Sequence, residues 1–165
     1  MGSERAKTAM GNRETISVAA ELADQPAIQH LLDLSDVVAE GLYPGAFRQS
    51  LTAAALARPD ISVFVARNAS GRALGCAALM DMPNGAAELK RMIVEPEHAG
   101  QGVGRALLLA ILQAARDRGI RRVLLEVGIR NVEARRLYES AGFRERGPFG
   151  RYIDSPIASF MEIAL

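Results

Sequence analysis

The chain has 165 residues, 49% of them apolar and 24% charged, with a net charge of +1. That length fits one soluble globular domain with a substantial core, and so small a net charge gives no electrostatic basis for binding nucleic acid or an anionic membrane. The single cysteine, Cys76, excludes an intrachain disulfide and a thiolate-only metal site, and two histidines, His30 and His98, cannot build a histidine-rich zinc centre.

Residues 1–14 are polar and open with Met1-Gly2-Ser3, so they are expected to be a tag-derived or loose tail before a single domain over 15–165. They carry no apolar leader, which points to the cytoplasm. Residues 15–22 alternate, with Ile16, Val18 and Ala20 on one side, the period of a strand. Asp24 is placed to cap a helix with Pro26 in its first turn, and Ile28, Leu31, Leu32, Val37 and Val38 carry the helix to Gly41. The alanine- and leucine-rich stretch 46–57 predicts a second helix, stopped at Arg58 and Pro59. Strands are predicted over 61–66 and 72–82. Asn84-Gly85 is a strong hairpin signal leading into a third antiparallel strand, 86–95. Cys76 lies in an apolar run and reads as a small buried hydrophobe.

Gly100, Gly102 and Gly104 then open a helix whose apolar face is Val103, Ala106, Leu107, Ala110 and Ile111. Its uncharged run, 106–115, is shorter than the roughly 20 residues a bilayer needs. Gly119 ends it. The strand over 122–127 must run parallel to 86–95 through a right-handed crossover. Asn131 is the expected cap of a helix with Ala134, Leu137, Tyr138 and Ala141 inward, and Gly142 suits its left-handed end. Strands near 143–149 and 157–164 complete a mixed sheet. Glycines at a helix N-terminus bring unpaired N–H groups and the positive dipole end to one place, which suits a pyrophosphate. A Rossmann dinucleotide site would follow the first strand of a parallel sheet, whereas here antiparallel strands come first.

Residues 88–143 resemble the core of the GNAT family of N-acetyltransferases, whose acetyl-CoA loop reads Gln/Arg-x-x-Gly-x-Gly/Ala. The matching positions are Ala99, Gly100, Gln101, Gly102, Val103 and Gly104, with Ala99 departing from the usual Arg or Gln. Asn131, Ala134, Leu137, Tyr138, Gly142 and Phe143 match as well. The resemblance implies an α/β fold of α+β type, a mostly antiparallel mixed sheet with a splayed parallel pair, flanked by helices. It implies acetyl-CoA as cosubstrate and a primary amine acceptor (a small molecule, an amino acid or a peptide N-terminus) attacking directly in a ternary complex. Dimers are common in such folds. The backbone of Met92, Ile93 and Val94 would pair with the pantetheine arm, one N–H polarising the thioester carbonyl. Asn131, Arg105 and Arg135 are assigned to the same cofactor site.

Tyr138 is the expected proton donor to the leaving thiolate, since phenol and thiol pKa values of about 10 and about 8.5 lie close. Its other reading is an aromatic on a buried helix face. Glu126, a carboxylate in an apolar strand, should have a raised pKa and serve as general base. The segment from Leu125 to Phe143 is similar to the ribosomal-protein alanine acetyltransferases, where the corresponding glutamate is the base. Alternatively it points to the open face or pairs with Arg91 or Arg130. Glu88 is the second candidate, acting through water. Arg91, Arg151 and Tyr152 are expected at the acceptor, with an arginine binding an anionic group, and His98 is expected in a surface turn. The segment 149–156, with 88–92, resembles bacterial acetyltransferases of undefined substrate. A CoA-binding or regulatory module without catalysis is the competing expectation, and it need not keep Glu126 with Tyr138.

Overall fold

The computed structural model describes residues 14–46 and 50–165. Its elements are β1 (Ser17–Glu21), α1 (Pro26–Leu42), β2 (Ile61–Arg67), β3 (Ala73–Met82), β4 (Ala86–Val94), α2 (Val103–Asp117), β5 (Arg122–Gly128), α3 (Val132–Ala141), β6 (Arg144–Arg146) and β7 (Ala158–Ala164). They form a seven-stranded sheet in the order β1-β2-β3-β4-β5-β7-β6. Every pairing is antiparallel except β4 with β5. This is the mixed, mostly antiparallel architecture expected from the sequence.

Alternation along the strands makes two cores. Phe64, Ala66, Ala77, Leu79, Leu89 and Leu125 face α2 and α3. Val63, Val65, Cys76 and Ala78 face Ile28, Leu31 and Leu32 of α1. A third, smaller cluster of Ala86, Leu124, Phe149 and Phe160 extends the α1 face under the β6–β7 connection. Leu107 and Ile111, both fully buried, tie α2 to the sheet, and a buried leucine-sized side chain contributes on the order of 1.5–3 kcal/mol. The turn before β4 uses positive φ at both Asn84 (63°) and Gly85 (71°), the geometry a tight hairpin requires. No helix among the described residues is long and apolar enough to cross a membrane.

Three local expectations are corrected. The N-cap of α1 is Gln25 with no side-chain capping bond, so Asp24 does not cap it, although Pro26 does open the helix. Among its described residues, the stretch 46–57 holds only a 3-10 turn, Ala54–Leu56. Ala53 and Leu56 are the buried ones among the described residues of the stretch, little apolar contact to hold a longer helix there. Residues 47–49 of that expectation, like 1–13 of the expected tail, lie outside the described residues. Asn131 stands at the N-cap position of α3 without a capping side-chain bond, because its side chain is engaged elsewhere.

Candidate active site

The parallel pairing of β4 with β5 runs only from Ala86↔Arg122 to Leu89↔Leu125. Beyond Leu89 the strands separate, and β5 continues paired to β7 as far as Gly128. The divergence has a local cause on β4. Cys76 pairs with Ile93 and Ala78 with Lys90, so β4 carries one residue more than β3 between those points. That residue is accommodated at Arg91, whose φ is +54°. A bulge of this kind bends its strand and increases its twist. It leaves the Met92–Val94 edge of β4 unpaired on the β5 side among the described residues, as an added strand would need.

The glycine loop follows. Gly100 and Gly102 have φ of +74° and +86°, and a Cβ at either would meet nothing within 4 Å. These glycines are therefore required by conformation, and their surroundings are open. The N-cap of α2 is Gly102, with no side-chain bond, and the first helical bond runs from Ala106 N–H to the Gly102 carbonyl at 3.0 Å. The amides of Val103, Gly104 and Arg105 therefore have no acceptor within their own helix, as a bound pyrophosphate requires. Gly104 serves packing instead: a Cβ there would lie 3.2 Å from Leu137 and 3.7 Å from Val94. Val103 is buried and Arg105 exposed. Glu95, buried at the head of the loop, accepts from Arg72 at 2.7 Å and lies 3.2 Å from His30 Nε2. His98 is half-buried, with Nδ1 3.3 Å from Gln101 Oε1.

Between the separated strands lies a cleft of about 590 Å³ lined by α1, β4, β5, α3 and the β6–β7 connection. Tyr138 reaches it from α3, Glu88 and Arg91 from β4, Glu126 from β5, and Tyr152 from the β6–β7 connection. Tyr138 is 6% exposed, packs on Phe143 with ring centroids 5.7 Å apart, and burial pushes its phenol up to about 12. It is thus both a core aromatic and a cleft residue.

Of the two readings of Glu126, the structure bears out the open-face one, and it buries the second candidate, Glu88. Glu126 is exposed on the cleft side; strand alternation turns it away from Leu125 and Val127, so the burial expected of it is absent. Glu88 is the buried one, at 4% exposure, on the same sheet face as Glu126. Burial raises its pKa, while a hydrogen bond from Tyr152 and the charge of Lys90 oppose that rise. The Tyr152 hydroxyl donates to Glu88 Oε1 at 2.5 Å, and Lys90 Nζ stands 3.8 Å from the same oxygen. Arg91 stands 3.7 Å from Asp36 of α1. Arg151 is exposed and is not among the cleft-lining residues. Arg135 bonds Glu139 at 3.0 Å and Ser159 at 3.2 Å and lies 3.4 Å from Glu145; none of these partners belongs to the glycine loop.

The bonds made by Tyr43, in the loop after α1, could not be read from the sequence. The Tyr43 hydroxyl, just past α1, donates to Asn131 Oδ1 at 2.6 Å and accepts from Arg130 N–H at 2.9 Å. Arg130 also donates to the Leu42 carbonyl at 2.6 Å, with its guanidinium 5.7 Å from the Tyr43 ring centroid. This clasp joins the end of α1 to the β5–α3 turn. It depends on Gly128, where a Cβ would lie 2.0 Å from the Tyr43 hydroxyl oxygen. Gly128→Ala is therefore expected to expel Tyr43 and cost about 1–2 kcal/mol, read as a fall of roughly 2–8 °C in Tm. An unchanged melting curve would count against the clasp.

The pattern of the acetyltransferase (GNAT) family matches residues 18–143. The chain is 39% identical over 148 residues to an IAA acetyltransferase of Azospirillum brasilense, covering 89% of this chain and 96% of that protein. Among solved structures, the fold superposes on the Escherichia coli ribosomal-protein-S18-alanine N-acetyltransferase with a TM-score of 0.69 and 25% identity, covering 91% and 94% of the two chains. A Klebsiella pneumoniae protein described as an acyl-CoA N-acyltransferase gives a TM-score of 0.79 at 27% identity over 92% and 98%. The chain belongs to the GNAT acetyltransferase family.

Proposed function

We propose that the protein moves an acetyl group from acetyl-CoA to a primary amine of a small molecule, amino acid or peptide N-terminus, by direct attack in a ternary complex. The observation that carries this reading is one cleft bounded by an unpaired strand edge and holding both a buried phenol and a buried carboxylate. Bound acetyl-CoA supplies the acyl group as a thioester. The amides of Val103, Gly104 and Arg105 hold its pyrophosphate, and the edge Met92–Val94 aligns its arm. An amide of that edge draws off the negative charge that builds on the carbonyl oxygen.

Tyr138 donates to the leaving sulfur. A phenol near 12 stays protonated throughout the working range. Burial carries the phenol further from a thiol of about 8.5 than the ordinary phenol the sequence suggested. Tyr138 therefore acts by donating a hydrogen bond to the departing thiolate as charge collects on it, and the thiolate leaves without taking the phenol's proton. Glu88 accepts the proton the amine must lose; desolvation raises its basicity above that of an ordinary carboxylate. Cys76 supports transfer without an acyl-enzyme, because it is buried and its thiol is pushed up to about 12, which leaves no thiolate to attack. The domain limits 15–165 are part of the same proposal, as is a ribosomal-peptide acceptor among those to be screened.

The test is release of free CoA from acetyl-CoA across a panel of amines, amino acids and peptides. Turnover with a primary amine supports the reading, and calorimetric CoA binding without turnover on any panel member overturns it. Tyr138→Phe is expected to lower kcat by about 10²-fold while acetyl-CoA affinity stays within about twofold, because the lost group meets only the departing sulfur. Full activity in that variant would remove Tyr138 from the chemistry.

A further inference from the structure

The Tyr152 hydroxyl stands where two strands deliver their carboxylates. It donates to Glu88 Oε1 at 2.5 Å, and Glu126 of β5 and Arg91 of β4 both act on it electrostatically. Lys90, the other charged group facing Glu88, is 3.8 Å from the same Oε1, and Arg91 is drawn toward Asp36 of α1 at 3.7 Å. Among the described residues, both of these contacts of the Glu88 carboxylate fall on Oε1. The ring that carries the hydroxyl is held rigidly. Its centroid lies 5.0 Å from that of Phe149 and 5.5 Å from that of Phe160, an aromatic cluster closing the sheet face next to Leu124 and Ala86.

We propose that Tyr152 is the positioning residue of Glu88: its aromatic-locked hydroxyl fixes the carboxylate through Oε1 and leaves Oε2 directed to the acceptor amine. This rests on Glu88 being the base. Physically, a buried carboxylate without a donor swings between rotamers and holds its proton. One strong donor on one oxygen selects a single orientation and favours the ionised form, while the second oxygen keeps its lone pairs for a proton. Burial and the neighbouring carboxylate charge keep Tyr152 itself protonated, so it remains a donor over the whole working range. Because the phenol never gives up its proton, Tyr152 acts through Glu88 and not on the reacting atoms.

Tyr152→Phe removes the hydroxyl and keeps the ring, so the packing with Phe149 and Phe160 survives. The first readout needs no turnover. In full-length protein labelled with carboxyl-¹³C glutamate, the Glu88 signal is assigned by its loss in Glu88→Gln and titrated. Loss of a hydrogen bond to a charged group should move its midpoint up by about one to two pH units in Tyr152→Phe. The second readout is kcat/KM against pH with acetyl-CoA and the most active amine of the panel. Its acidic limb should rise by the same amount, a loss of about ten- to hundredfold at pH values below both midpoints, and recover at high pH. A carboxyl midpoint that stays in place or falls overturns the positioning role, whatever happens to activity. A midpoint that rises while the acidic limb stays fixed overturns Glu88 as base and, with it, the catalytic purpose of the pair.

Discussion

Glu88→Gln is expected to lower kcat by about 10²- to 10⁴-fold, the range of a lost general base, while leaving acetyl-CoA binding in place. The expectation turns on what burial does to this carboxylate. At 4% exposure it is held in a site that penalises charge, and its pKa stands above the ordinary carboxylate value despite the opposing pull of Tyr152 and Lys90. A carboxyl with a raised folded pKa adds stability below its unfolded pKa, and that contribution is lost as pH rises through the folded value. Wherever the side chain is ionised it therefore costs the fold stability. Glutamine is nearly isosteric, and its amide oxygen can still accept from Tyr152. The variant should accordingly keep or raise its Tm near pH 7 while turnover collapses, a combination that unfolding cannot produce. Parallel measurement of CoA release, acetyl-CoA calorimetry and thermal melting checks all three. Unchanged kcat would take Glu88 out of the proton path and return that role to Glu126.

The two carboxylates also mark where the sequence stopped being readable. Alternation at Ile16, Val18 and Ala20, the turn at Asn84-Gly85 and the glycines before α2 are local signals, and each led to the right element. Glu126 stood out because it interrupts a short apolar run, yet a strand interrupted at one alternate position can simply be showing its open face. Glu88 sits between Ala87 and Leu89 in a similar run, but its burial depends on Tyr152, 64 positions away, and on the aromatic cluster behind that residue. No local pattern contains that information. The same holds for Asn131, which looks like a helix cap until Tyr43 arrives from 88 positions upstream. At 46–57 the failure was of a different kind: alanine and leucine favour a helix weakly, and packing around Ala53 and Leu56 decided the outcome. The glycine loop and the Met92–Val94 edge, proposed for the cofactor, are built by neighbouring residues whose local geometry was legible, whereas Asn131 and Arg135, assigned to the same site, bond elsewhere. The cleft proposed for the acceptor is assembled from five separate elements.

Gly75→Ala should be the most disruptive single methyl in the sheet. Gly75 lies in β3 opposite Val94, with no positive φ to explain it, so an alanine would meet no backbone strain. The obstacle is contact. A Cβ at this position would stand 2.7 Å from the Ile93 carbonyl oxygen, 3.2 Å from Leu107 and 3.3 Å from Val103. The first of these is backbone, which cannot rotate aside, and the other two belong to the buried first turns of α2. The Ile93 carbonyl lies two residues beyond the bulge at Arg91, and the missing side chain on β3 leaves room for it. Overpacking of a filled core costs about 1–3 kcal/mol, so Tm should fall by roughly 2–10 °C. The displacement has a direction as well as a cost, because β4 must move away from β3 and carry the Met92–Val94 edge with it. The variant should therefore bind acetyl-CoA more weakly even at temperatures where it is fully folded, by about tenfold for an added cost near 1.4 kcal/mol. Gly71→Ala is the comparison: that glycine has open space around its missing Cβ but a φ of +84°, so it should lower Tm without touching affinity. Equal acetyl-CoA binding by Gly75→Ala and wild type would show that the edge of β4 does not carry the cofactor.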